Sequence, residues 1–196
     1  PLLCPEGTYS CYPVYCRLLG IAHRLVPLDA GMRIHIEAYT DGGAIILANP
    51  NAPTGMALSR GQIESLLHAR ANVPVVIDEA YVDFGAQSAI PLIRDHPNLL
   101  VVQTLSKSRA LVGLRVGYAL GDPALIEALV RVKDSFNSYP LGRPAQAGAI
   151  ASIQDVAYFD ETCARIIENR VALTAVLTGL GFEVLPSSAN LLFARH

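Results

Sequence analysis

Apolar runs of five or six residues alternate along this chain with longer stretches in which apolar residues recur at helical spacing. That alternation is the signature of a sheet with crossover helices. The run "AIILA" at residues 44–48 reads as a strand and ends in the turn-rich "NPNAPTG". Residues 59–71 follow as a crossover helix, with Ser59 as N-cap and Ile63, Leu66, Leu67 and Arg70 at helical spacing. "VPVVI" at 73–77 is a second buried strand that closes at Asp78, Leu99–Thr104 a third and Val116–Leu120 a fourth. Asp122-Pro123 then supplies an N-cap followed by proline at the first helical position, ahead of an apolar stripe of Ile126, Leu129 and Val130. After "NSYPLGRP" the pattern turns to long helical segments, 145–153 and 158–180, and then to two short strands in "FEVLP" and "NLLFA". The expected fold is α/β. Residues 1–139 form a mostly parallel sheet with crossover helices, and 140–196 form part of a small α+β C-terminal domain.

Composition narrows what such a fold can do. With 52% hydrophobic and 16% charged residues the chain is a folded globular one rather than a disordered one. A formal net charge of -2 without any lysine-rich run argues against a nucleic-acid partner and leaves a small-molecule ligand as the expectation. No apolar run approaches the roughly 20 residues that span a bilayer, so no membrane partner is expected. Cys4, Cys11, Cys16 and Cys163 make no C-x-x-C pair and no disulfide framework; they read as reduced thiols of a cytoplasmic protein. His23, His35, His68, His96 and His196 are scattered without an H-E-x-x-H motif, so no metal is expected. The chain opens on Pro1 and stops directly after a strand-like run, which suggests a piece of a longer protein.

The chemistry-bearing residues sit where the strands stop. Residues 49–55, 78–81 and 106–115 each follow an apolar strand, and in a parallel sheet these carboxyl ends converge on the edge where ligands bind. Two readings of single motifs fall away. An apolar run ending in Asp78-Glu79 fits the magnesium-binding strand of a nucleotide hydrolase, but no G-x-x-x-x-G-K-[ST] loop accompanies it. "TLSK" resembles the S-x-x-K of penicillin-recognising enzymes, but their "SDN" and "KTG" are absent.

Six segments in order, "PEGTYS", "NPNAPTG", "VVIDEAYVDF", "QTLSKSRALVGLRVGYALG", "NSYPLGRPAQAGA" and "SSANLLFAR", resemble the fold-type-I aminotransferases, which use pyridoxal 5'-phosphate (PLP). The likeness covers nearly the whole chain and is nearest to the branch that acts on histidinol phosphate. It implies that Lys107 is the amine that carries the cofactor and that Asp78 partners the pyridine nitrogen. Tyr81, by the same likeness, hydrogen-bonds the ring oxygen, Ser106 and Arg115 hold the phosphate, and Tyr9 stacks on the ring. Arg195 would receive the anionic group of the substrate, and Asn137 and Tyr139 would line the substrate pocket. The implied reaction is amino transfer from L-histidinol phosphate to 2-oxoglutarate, in a homodimer when full length. Another aminotransferase, a decarboxylase of a phosphorylated amino acid, and a non-catalytic fragment remain as alternatives. The family also carries a glycine-rich phosphate loop and an N-terminal arm upstream, which this sequence does not contain. One position departs from the pattern: Ala52 stands before "PTG" where the family usually has asparagine, so Asn51 or Tyr81 is left to contact the ring oxygen.

Overall fold

A computed structural model describes residues 1–137 and 139–196. Six strands, β1 (Leu2–Pro5), β2 (His23–Val26), β3 (Ile45–Ala48), β4 (Val75–Asp78), β5 (Leu99–Thr104) and β6 (Gly117–Gly121), form one sheet in the order β2-β1-β3-β4-β5-β6. All neighbours are parallel except β5 and β6. The connection fits this: between β5 and β6 lies a loop with one 3-10 turn at Val112–Leu114 and no helix of the kind that usually carries a parallel crossover. That loop is the one that carries Lys107 and Arg115.

The crossover helices are α1 (Cys11–Leu18) and α2 (Arg60–Ala69), and α3 (Pro123–Phe136) leads from β6 out of the sheet. The starts of α2 and α3 follow the capping pattern in the sequence. Ser59 and Gln62 close a reciprocal capping box on α2, and Asp122 accepts the Ala124 N–H at 2.8 Å ahead of Pro123 on α3. β1 and β2 are not evident in the apolar pattern: each has four residues, and β2 is an edge strand reading His-Arg-Leu-Val.

Period-two alternation sorts each strand between two faces. Ile45 and Leu47 of β3, Val75 and Ile77 of β4, and Leu99 and Val101 of β5 pack with Ile63, Leu66 and Leu67 of α2 in the main core. The opposite residues look the other way. Ala48 joins Cys4 and Tyr12 in a second cluster, with Ile46 against it, and Asp78 shares that face by register with Ala48. Burial lifts the Cys4 thiol to a pKa of about 11, so it behaves as a small apolar group there.

The C-terminal third consists of α4 (Arg143–Gln154), α5 (Val156–Gly179) and the two-residue antiparallel strands β7 (Glu183–Val184) and β8 (Ala194–Arg195). It rests on the first part through Ala149, which packs on Leu105 and Val116, and through Arg170, whose Nη1 donates to the carbonyls of Phe84 (2.8 Å) and Ala189 (2.6 Å). Gly55 marks another close approach. It has φ +76 and a Cβ there would meet Ser187 Oγ at 2.4 Å, so only glycine fits. Among the described residues no helix is long and apolar enough to cross a membrane.

Candidate active site

The strand order reverses its direction of growth between β1 and β3, and in open α/β sheets ligands bind beyond the carboxyl ends at such a point. A cavity of ≈ 490 Å³ lies there, lined from the segments that follow β1, β3, β4 and β5. Ile46, Ala48 and Val102 supply apolar wall, and Asp78, Tyr81, Ser106, Lys107, Arg115 and Tyr9 line the same space. Six of the residues singled out in the sequence are therefore gathered around one cavity, although they span positions 9 to 115.

Asp78 is positioned by two donors. Its Oδ1 accepts the Ala80 N–H at 3.0 Å and its Oδ2 accepts the Tyr12 hydroxyl at 2.6 Å. Tyr12 is buried, and burial followed by the nearby Asp78 charge pushes its phenol far above the usual tyrosine range. It therefore stays a neutral donor and fixes the carboxylate. The apolar pattern did not mark Tyr12 as functional; the available signal was its spacing, three residues after Tyr9 across the entry of α1. The two rings meet edge to face, 5.5 Å apart at 81°.

Across the cavity, Lys107 is exposed and its Nζ lies 5.2 Å from the centroid of the Tyr81 ring. Ser106 is held at its N–H by Thr104 Oγ1 (3.2 Å), and the Thr104 hydroxyl donates to Ser106 Oγ (3.0 Å). Arg115 donates from Nη1 to the Val112 carbonyl at 3.1 Å. Ala110 and Arg115 both have φ 54, the left-handed region, where a side chain costs about 1–2 kcal/mol per residue. Such strain collects at functional loops. Gly113, by contrast, is not needed for a close approach between protein atoms, because a Cβ there would meet nothing within 4 Å.

Other expected residues are placed elsewhere. Asn51 does not line the cavity. It is buried, and its Nδ2 donates to the Gly7 carbonyl (2.7 Å) and Thr54 Oγ1 (3.2 Å) while its Oδ1 accepts the Thr8 hydroxyl (3.0 Å). Its amide is spent on holding the segment that carries Tyr9, and Ala52 is the residue that faces the cavity. Arg195 also lies outside: it is exposed on β8 and forms a bidentate pair with Glu183 at 2.7 and 2.8 Å, so the anion it binds here is a carboxylate of its own chain. Asn137 caps the end of α3, and Tyr139 is 94% exposed; neither lines the cavity. Glu79, beside Asp78 in sequence, turns to the other side of the sheet. It accepts from Ala89 N (2.6 Å), Gln103 Nε2 (2.7 Å) and Ser88 Oγ (2.8 Å), so it is a structural tether and not a free base.

Comparison with known proteins identifies the family. The family described as aminotransferase class I and II matches residues 1–196. Histidinol-phosphate aminotransferase of Gluconacetobacter diazotrophicus is 65% identical over 100% of this chain and 55% of its own length. Histidinol-phosphate aminotransferase 2 of Thiobacillus denitrificans is 61% identical with the same coverage. The chain thus spans about half the length of the curated relatives it matches. Among solved structures, histidinol-phosphate aminotransferase from Sinorhizobium meliloti, in complex with pyridoxal-5'-phosphate, superimposes with a TM-score of 0.90 at 25% identity, over 99% of this chain and 54% of that one. A decarboxylase from Sulfurospirillum multivorans gives 0.84 at 25% identity, over 99% and 59%. A family match along every residue, joined to a fold shared over nearly the whole chain, has one consequence: this chain belongs to the aminotransferase class I and II family.

Proposed function

We propose that the full-length protein is a PLP-dependent aminotransferase that moves the amino group of L-histidinol phosphate to 2-oxoglutarate. The observation that carries this reading is the convergence of Asp78, Tyr81, Ser106, Lys107 and Arg115 on one cavity. Their chemistry fits PLP group by group. A carboxylate held by two donors suits a pyridinium nitrogen, a phenol suits the ring oxygen, and an arginine fork with a serine hydroxyl suits a phosphate dianion. The cofactor, when bound, supplies an electron sink for the carbon next to the substrate nitrogen. Lys107 Nζ would hold the cofactor and, when free of it, would take the proton from the α-carbon of the amino donor and later give one to the α-carbon of the 2-oxo acid. Tyr9 and Ala48 bound the space for the ring, and Tyr12 keeps the Asp78 carboxylate turned toward it. The choice of amino donor is supported by the names of the two relatives at 65% and 61% identity.

The decarboxylase neighbour keeps a second reading open, since the same fold there serves another reaction. Incubating the full-length protein with histidinol phosphate and 2-oxoglutarate should yield glutamate without carbon dioxide. Release of carbon dioxide from a phosphorylated amino acid would favour the second reading. For the cofactor itself, borohydride reduction of the PLP-loaded protein and peptide mapping should place a pyridoxyl group on Lys107. The chain has one other lysine, Lys133, which sits on α3 beside Asp134 at 3.0 Å. A label there would sink the assignment.

Ala52 makes a sharper test of the ring contacts. With alanine at the cavity wall and Asn51 committed to Gly7, Thr8 and Thr54, the ring oxygen depends on the Tyr81 hydroxyl. A hydrogen bond to a charged group contributes about 1.5–3 kcal/mol, or up to roughly two pKa units. Tyr81→Phe should therefore raise the pH at which the absorbance of the bound cofactor changes. Adding Ala52→Asn to that variant should recover part of the shift. If Asn51→Ala shifted the titration as much as Tyr81→Phe, and Ala52→Asn did nothing, the assignment to Tyr81 would be wrong.

A further inference from the structure

We infer that Glu64, His68 and His96 form a binding site for a divalent transition metal of the zinc type, separate from the cofactor cavity. Glu64 and His68 stand four residues apart on α2, which places them on one face of the helix. That helix buries Ile63, Leu66 and Leu67 and leaves Glu64 and His68 exposed. His96 comes from the turn before β5, fixed by its own N–H to Leu92 O (3.1 Å) and its carbonyl from Leu99 N (3.0 Å). One ligand atom from each of the three side chains lies within 4.8 Å of the others.

The arrangement is not explained by hydrogen bonding within the cluster. His96 Nε2 is 3.9 Å from Glu64 Oε1, beyond hydrogen-bond range, and the His68 and His96 rings meet edge to face at 4.7 Å. Yet the His96 side chain is only 7% exposed, and among the described residues no hydrogen bond reaches its ring. The ring is therefore nearly enclosed, and its Nε2 faces the Glu64 carboxylate at 3.9 Å, a gap wide enough for an ion to be drawn in between them.

Two imidazoles and a carboxylate are a donor set that suits zinc, with water in a fourth position. Bonds of about 2.0–2.1 Å in a tetrahedral site put ligand atoms roughly 3.3 Å apart. Closure by about an ångström or so is needed, and Glu64 and His68 can supply it by turning at the surface while His96 stays in place. The bound metal would clip α2 to the turn that opens β5. Six residues of β5 separate this turn from the loop of Lys107, roughly 20 Å at strand spacing, so the clip acts on stability rather than on the cofactor. The sequence hides the site because its third ligand is 96 − 68 = 28 residues away and on another element.

The test uses metal-stripped, PLP-loaded full-length protein and Zn²⁺ alone, in competition with a chromophoric chelator. Wild type should bind one zinc equivalent per chain that depends on these three residues. Free zinc at 100 times the dissociation constant should raise Tm by about 5 °C. Glu64→Gln and His68→Ala, both on the helix surface, should each weaken that binding at least about tenfold. Neither should change the cofactor absorbance or the metal-free Tm, which shows that the fold is intact. Zinc affinity unaltered in both variants, or no rise in the Tm of wild type, would overturn the assignment.

Discussion

Replacing Lys107 by alanine is expected to remove amino transfer by the full-length protein almost completely, and with it the borohydride-fixable cofactor. Loss of general acid–base catalysis alone costs about 10²–10⁴-fold, and here the residue proposed to carry the cofactor goes too, so a fall at or beyond the upper end is expected. The fold should hardly notice. Lys107 is exposed and its Nζ stands 5.2 Å from the centroid of the Tyr81 ring, so stability should stay within about 0.5 kcal/mol of wild type. Lys107→Arg separates charge from chemistry. Arginine keeps the positive charge beside Tyr81 but cannot be deprotonated to act as nucleophile or base. The two variants should be equally inactive. Comparable activity in Lys107→Arg and wild type would show that Lys107 serves only as a charge.

Much of this site was legible because the relevant residues follow recognisable strands. The runs before Asn49, Asp78 and Leu105 are apolar enough to read as buried strands, and parallel pairing then brings their ends together. What sequence did not give came from elements without such a signal. Tyr12 lies on a helix whose strand neighbours are too short and, in β2, too polar to read, so its bond to Asp78 appears only when β1 docks beside β3. Asn51 looked available because its amide demand could not be counted in one dimension; three partners from Gly7, Thr8 and Thr54 take it up. Arg195 looked free for the same reason, until the β7–β8 pair set Glu183 opposite it. His96 read as an ordinary histidine because no local pattern reveals which helix face it meets. Backbone pattern fixes where a strand ends, whereas the partner of a polar side chain depends on how separate elements dock, as in Asn51 with Gly7, 44 residues apart.

Asp78 and Glu79 are adjacent acids, and their replacement should separate function from stability. Asp78→Asn keeps an oxygen that can accept from Tyr12 or Ala80 but removes the charge that would face the pyridine nitrogen. A charge-assisted hydrogen bond contributes up to about 3 kcal/mol, so activity should fall by roughly 100-fold or more with Tm nearly unchanged. Glu79→Ala should do the reverse. It leaves the Ala89 N–H and the Gln103 amide without their acceptor inside the protein, and each orphaned buried donor costs about 1–3 kcal/mol, so a loss of about 3 kcal/mol is expected. pH adds a second readout. Burial raises the Glu79 pKa above its ordinary value of 4.5, and this outweighs the lowering by its three donors. An acid with a raised folded pKa contributes its full stability below the unfolded value and loses it as pH rises through the folded one. Urea denaturation of wild type and Glu79→Gln across that range should therefore show the difference moving in favour of the glutamine variant as pH increases. A difference that moved the other way would mean that the donors, not burial, set the ionisation of Glu79.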